Sequence, residues 1–249
     1  MCWQALGICC LPILLVSWSA VAFIVSFVIA VTSGHVVPFI PFISDTGTMV
    51  PESCVFGLMI NISAFLGTVT IYIRYRILQT LNEANSTSSS RMNIAAFGCG
   101  FLACLGMCIV ANFQETAVRP VHDIGALLAF VMGTFYLFVQ SWISCQSRSL
   151  CDNPCEVYIR LVLSLVSFMA ITPMIVCYFL SSQSTFNFHP SDKGYGYHVA
   201  SAICEWIVAF CFNIFFLTYI REFKNVTMCI KIEMLQASQI DSVSQRMIH

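Results

Sequence analysis

The stretch from Ala5 to Ser33, ALGICCLPILLVSWSAVAFIVSFVIAVTS, contains no charged residue. About 20 consecutive apolar residues suffice to carry a helix across a ~30 Å hydrocarbon core. A helix that is apolar on every face belongs in lipid or deep in a large core. Five further runs repeat the pattern, so the sequence predicts membrane helices over 5–33, 54–73, 92–113, 122–144, 158–180 and 197–220. Segments such as FLACLGMCIV and LVLSLVSFM do not alternate, as the strands of a membrane barrel would. An unpaired backbone group in lipid costs several kcal/mol, which leaves the helix as the spanning form. The expectation is an all-α polytopic membrane protein with six transmembrane helices. One domain covers 1–231, and 232–249 form a flexible cytosolic tail.

Composition supports this reading. The chain of 249 residues is 58% hydrophobic and 9% charged, against about 25% charged for an average soluble domain. A net charge of −1 with this apolar content excludes a disordered chain and gives no electrostatic footprint for nucleic acid. With the N-terminus inside, nine of the eleven basic residues fall on the cytosolic side, among them Arg74, Arg76, Arg91 and Arg160. Only Arg119 and Lys193 fall outside. That bias predicts both termini in the cytosol. The N-terminus lacks a basic n-region, so the first run reads as an uncleaved anchor.

Fourteen cysteines do not make a disulfide scaffold. Cys99, Cys104, Cys108, Cys177, Cys204 and Cys211 lie inside apolar runs, where cysteine acts as a small hydrophobe. Cys145, Cys151 and Cys155 lack the close pair and the histidine of a zinc site. They read as inert thiols or palmitoylation acceptors. No metal, cofactor or catalytic residue is predicted.

Polar groups inside the apolar runs are the candidate chemistry. Glu205 lies about 12 Å into the last run, counted from Tyr197 at 1.5 Å per residue. A charge near mid-bilayer costs about 2.5–3.5 kcal/mol on insertion scales. Glu205 must therefore face the bundle, paired or protonated. His198 shares its helical face, and His122 and Asp123 open the fourth run. With Asn112 and Gln114 as interhelical partners, these six residues form a candidate polar pocket, either as structural glue or as a site for a lipid headgroup or a proton. The loop Gly34–Ser53 is stiffened by Pro38, Pro41 and Pro51. It is expected to cap the bundle or lie on the membrane face. Within it, Ser44-Asp45-Thr46-Gly47 is a candidate motif. Its DTG triplet matches aspartic proteases, but that chemistry needs a second carboxylate across a dyad. The reading is an Asx-type turn in which Gly47 supplies unusual backbone angles. His35, His122, His189 and His198 map to the outer side, with Asp45, Asp123 and Asp192 nearby in sequence. They read first as interfacial polar anchors, and alternatively as histidines that form charge-assisted pairs with those carboxylates in an acidic lumen.

The strings WSAVAFIVSFVIAVTSGHV, PFISDTGTMVPES, GMCIVANFQE, VHDIGALLAF, DKGYGYHVASAICEW and FFLTYIREF occur in this order between Trp18 and Phe223. They resemble the damage-regulated autophagy modulator family, most of all its founding, stress-induced branch. That family lies within a superfamily that includes a GPI-anchor remodelling factor. Ser44, Asp45, Thr46, Gly47, Asn112, Phe113, Gln114, His122 and Glu205 match its pattern. The resemblance implies six membrane helices, a lysosomal membrane location and non-catalytic promotion of autophagy and stress-linked cell death. Implied partners are membrane lipids and other membrane or autophagy proteins, with no nucleic acid. It sets no oligomeric state. The rival class is a lipid or small-solute handling protein that uses the polar intramembrane pocket.

Overall fold

The computed structural model describes residues 7–85, 90–146, 154–181, 192–224 and 226. Helix α1 spans Cys10–Thr32, α2 Glu52–Asn85 and α3 Ser90–Asn112. Helices α4 (Arg119–Leu127) and α5 (Gly133–Gln146) join through a π turn, Leu128–Met132, into one span. Helix α6 covers Pro154–Leu180, α7 Tyr195–Leu217 and α8 Ile220–Lys224. Six helical segments are thus long and apolar enough to cross a membrane, and the described residues contain no strand. Their outer faces carry large apolar side chains, such as Ile24 (62% exposed) and Met169 (72% exposed), as lipid contact requires. His189, Cys151 and the expected tail from residue 232 lie outside the described residues.

The second helix departs from expectation. It runs on to Asn85, so Arg74 and Arg76 are helical rather than loop residues. The helix has no reason to stop at Arg74, because the bundle supplies that charge with a partner. Arg74 and Arg160 are both fully buried and pair with the same carboxylate, Glu222 of α8. Arg160 Nη1 lies 2.8 Å from Glu222 Oε1 and also donates to Ser144 Oγ at 2.8 Å. Arg160 Nε donates to Thr218 Oγ1 at 2.8 Å, and Arg74 Nε to Gln140 Oε1 at 3.2 Å. Both guanidinium groups stack on the Tyr219 ring, at 5.0 and 4.9 Å from its centre. The Tyr219 hydroxyl meets that of Tyr136 at 2.9 Å. One cluster therefore fastens α2, α5, α6, α7 and α8 at the end of the bundle where α1 begins.

Glycines set the closest approaches. A Cβ on Gly106 of α3 would lie 2.4 Å from the Ala129 nitrogen and 2.6 Å from the Gly125 carbonyl oxygen. The backbones of α3 and the fourth span touch there, at the π turn. Gly100 of the same helix is also closely packed, a Cβ there standing 3.0 Å from Ile71 and Tyr136, whereas Gly98 faces open space.

Two outcomes are expected. Removing the shared carboxylate in Glu222→Gln leaves two buried cations, and breaking such a pair costs about 3–5 kcal/mol. Arg74→Met, Arg160→Met and Glu222→Leu combined should melt higher than Glu222→Gln alone. Scanning fluorimetry in detergent ranks the two, and the reverse order would contradict the assignment. Gly106→Ala should lose about 1–3 kcal/mol, because the contact is with backbone that cannot rotate away. Gly98→Ala should be neutral or better in the same measurement.

Candidate functional site

The loop between α1 and α2 caps the bundle by entering it. Phe42, Ile43, Asp45, Thr46, Gly47 and Thr48 are buried. Proline at 41, itself buried, removes one donor that this buried segment would otherwise have to satisfy. Gly47 and Thr48 donate to the Ser44 and Asp45 carbonyls, and other backbone groups of the loop find side chains. The Ile43 N–H donates to Glu205 Oε2 at 2.9 Å, and the Phe42 N–H to Asp45 Oδ2 at 3.1 Å. Thr46 Oγ1 donates to the Ile43 carbonyl at 2.7 Å, and Trp206 Nε1 to the Pro41 carbonyl at 2.9 Å.

The DTG triplet forms a 3-10 turn, and the expected Asx turn is not what Asp45 makes. Its carboxylate reaches back to Phe42 instead of forward. Gly47 is also there for a different reason than angle. Among the described residues positive φ occurs at Gly34, Gly194 and Ile40. A Cβ on Gly47 would stand 2.3 Å from the Phe56 ring, so space is what it supplies.

Glu205 faces the bundle as expected, but its partner is the loop backbone. Asn112 and Gln114 do not reach it. Asn112 lies on the face of α3 turned to α2, where its amide and that of Asn61 bond reciprocally at 3.2 and 3.1 Å. Gln114 closes the turn after α3, its carbonyl accepting from the Ala117 and Val118 N–H groups. The other four members of the predicted set do gather near the loop. Asp123 accepts from the Tyr178 hydroxyl at 2.7 Å. His122 Nδ1 lies 2.8 Å from the Phe113 carbonyl oxygen. His198 Nε2 is 3.9 Å from Asp45 Oδ2 and its ring packs edge-on to Phe42. His35 pairs at 2.6 Å with Glu52, not with an aspartate.

Glu115 was missed by the sequence reading. It forms an ion pair with Arg119 at 2.7 Å and lies near enough to Asp45 for its charge to act there. The i to i+4 spacing of Glu115 and Arg119 was the available signal.

Two cavities meet at this cluster. One, of about 150 Å³, runs down the bundle core, from Ser44 at the loop past Phe130 to Tyr136. The other, of about 80 Å³, lies between α4, α6 and α7 and reaches Asp123 and Tyr178. Glu205, His122 and Ser44 line both. The site can therefore present one carboxyl, one imidazole and one hydroxyl to a mainly apolar interior.

Burial pushes the Asp45 carboxyl well above the ordinary carboxylate range, and the nearby Glu115 and Glu205 push it the same way, while the Phe42 N–H opposes them. A raised acid binds its proton more tightly when folded than when unfolded. Between the unfolded value of about 3.9 and the raised folded value, the folded state then holds more protons, so stability falls as pH rises. The melting temperature of the protein should drop from pH 4 upward, and Asp45→Asn should flatten that slope. An unchanged slope in the variant would refute the charge assignment.

Comparison with known proteins places the chain. Residues 7–226 match the family described as Frag1/DRAM/Sfk1/Cwh43P N-terminal domain. The chain is 52% identical over 227 residues to DNA damage-regulated autophagy modulator protein 1 of Homo sapiens, covering 91% of this chain and 95% of that one. It is 39% identical to DNA damage-regulated autophagy modulator protein 2 of Rattus norvegicus, over 98% and 94% of the two chains. It is 32% identical to Modulator of macroautophagy TMEM150B of Danio rerio, over 87% and 85%. No solved structure matches it. The six-span bundle with its buried loop thus belongs to the Frag1/DRAM/Sfk1/Cwh43P family.

Proposed function

We propose that this chain is a multi-pass protein of the lysosomal membrane that promotes autophagy and stress-linked cell death without catalysis of its own. The observation that carries the reading is the 52% identity over nearly the whole of a relative named as an autophagy modulator. Its termini would face the cytosol, as the distribution of basic residues outside the bundle implies. The geometry supports a non-catalytic role, because the polar groups of the site are engaged structurally: Glu205 on Ile43 and Asp45 on Phe42 hold the loop, and Asp123 on Tyr178 joins α4 to α6. Partners are membrane lipids and other membrane or autophagy proteins. The test is autophagic flux in cells lacking the protein, with and without re-expression, together with its co-fractionation with lysosomes. Flux indifferent to both would sink the proposal.

A specific observation favours a second reading, a lipid or small-solute handling protein: Glu205 lines both cavities while also anchoring the loop. Glu205→Gln keeps an acceptor for the Ile43 N–H. Folding should then change by about 1 kcal/mol or less, the scale of interhelical bonds in membranes. On the handling reading, flux falls while the variant still reaches the lysosome. Normal flux in a folded variant would leave Glu205 a structural anchor alone.

A further inference from the structure

A third hollow, outside the core, lies between α1 and α7. It measures about 540 Å³, and every side chain that lines it is apolar. Ala20 and Phe23 of α1 form one wall and Ile207 and Phe210 of α7 the other, with Pro38 and Ile40 of the buried loop as its roof. The indole nitrogen of Trp206, which also faces it, is occupied by the Pro41 carbonyl. The roof is held under strain. Ile40 has φ of +44°, a conformation that a β-branched residue adopts only where its surroundings force it. Those surroundings are the adjacent Trp206–Pro41 bond and the Ile43–Glu205 bond.

The cleft is not sealed from the bilayer. Its rims, Ile24 (62% exposed) and Phe210 (55% exposed), belong to the lipid-facing surface of the first and last spans, so it continues the protein–lipid interface inward. Phe23 also lines the core cavity, with its ring edge-on to Trp206 at 5.8 Å. One aromatic side chain therefore stands between the cleft and the hollow that reaches Glu205.

An apolar recess facing lipid has no use for water, and an empty one forfeits dispersion contacts along its whole lining. With no charged group in the lining and its one indole N–H already given to Pro41, nothing there selects a headgroup. We propose that the α1–α7 cleft binds one acyl chain of a membrane lipid, and that Phe23 is the partition past which the chain end reaches the core cavity. This rests on the lipid-handling reading above and names its ligand and its entrance.

The test uses the full chain reconstituted in vesicles of dioleoyl phosphatidylcholine or of dioleoyl phosphatidylglycerol. The protein is extracted in mild detergent and weighed by native mass spectrometry. One lipid should be retained per chain with either headgroup. Ala20→Phe fills the cleft from an exposed position on α1, and Ile207→Phe fills it from the other wall. Each should lower the retained fraction about tenfold, as expected when contacts with a pair of methylenes are lost. If the unaltered protein retains no lipid, the handling reading and the cleft fall together. If both filled variants retain lipid normally, the cleft is overturned while the handling reading stands. Retention of phosphatidylglycerol alone would mean headgroup recognition elsewhere and overturn the proposal. A dimer mass that disappears in Ala20→Phe would assign the cleft to a second copy and overturn it too.

Discussion

The Arg74–Glu222–Arg160 cluster is the constraint on which the arrangement of five helices depends. Two buried cations sharing one carboxylate are tolerable in a low-dielectric interior only if hydrogen bonds complete the arrangement. Here Gln140, Ser144 and Thr218 supply oxygens, and Tyr219 offers a ring face to each guanidinium. The break between α7 and α8 at Thr218–Tyr219 is part of the same solution. It lets the last turn carry Glu222 back over the bundle and presents the Thr218 carbonyl to Arg160. An all-apolar contact in lipid would allow helices to slide or rotate against one another. A cluster with fixed donor and acceptor geometry allows one register.

At the opposite end the problem is reversed: irregular backbone, not charge, must be accommodated. Non-helical chain buried in a helix bundle persists only when protein satisfies its polar groups. Glu205 and Asp45 do this by accepting from Ile43 and Phe42, and the buried Pro41 lowers the number of donors. Gly47 admits the Phe56 ring, so that the loop can descend between helices. Asp45 and Glu205, used in this way, are drawn close enough to feel each other's charge, and Glu115, paired with Arg119, lies near enough to add to it.

The six spans were legible because length and apolarity alone specify a membrane helix. That Glu205 faces inward was legible too, since its burial in lipid has no cheaper answer. Its partner was not, because a backbone N–H 162 positions away leaves no mark in side-chain pattern. Arg74 and Arg160 look like flanking charges in the sequence for the same reason. A basic residue near the end of an apolar run looks like a membrane boundary until its carboxylate is found, and Glu222 lies 148 positions from Arg74. Asn112 shows the limit of depth as a guide: depth suggested the pocket, but the direction of its helix face put it against Asn61.

The π turn at Leu128–Met132 makes the fourth span behave as two gears on one shaft. A π turn holds one residue more than the α turn it replaces, and one residue corresponds to about 100° of rotation. The half carrying His122 and Ala126 is thereby phased to the loop cavities, while the half carrying Tyr136 and Gln140 is phased to the arginine cluster. Excising any one residue of the turn would let the span relax to continuous α-helix and would swing one half out of phase with its neighbours. The extra residue keeps the two ends of the molecule in independent alignment along a single helix.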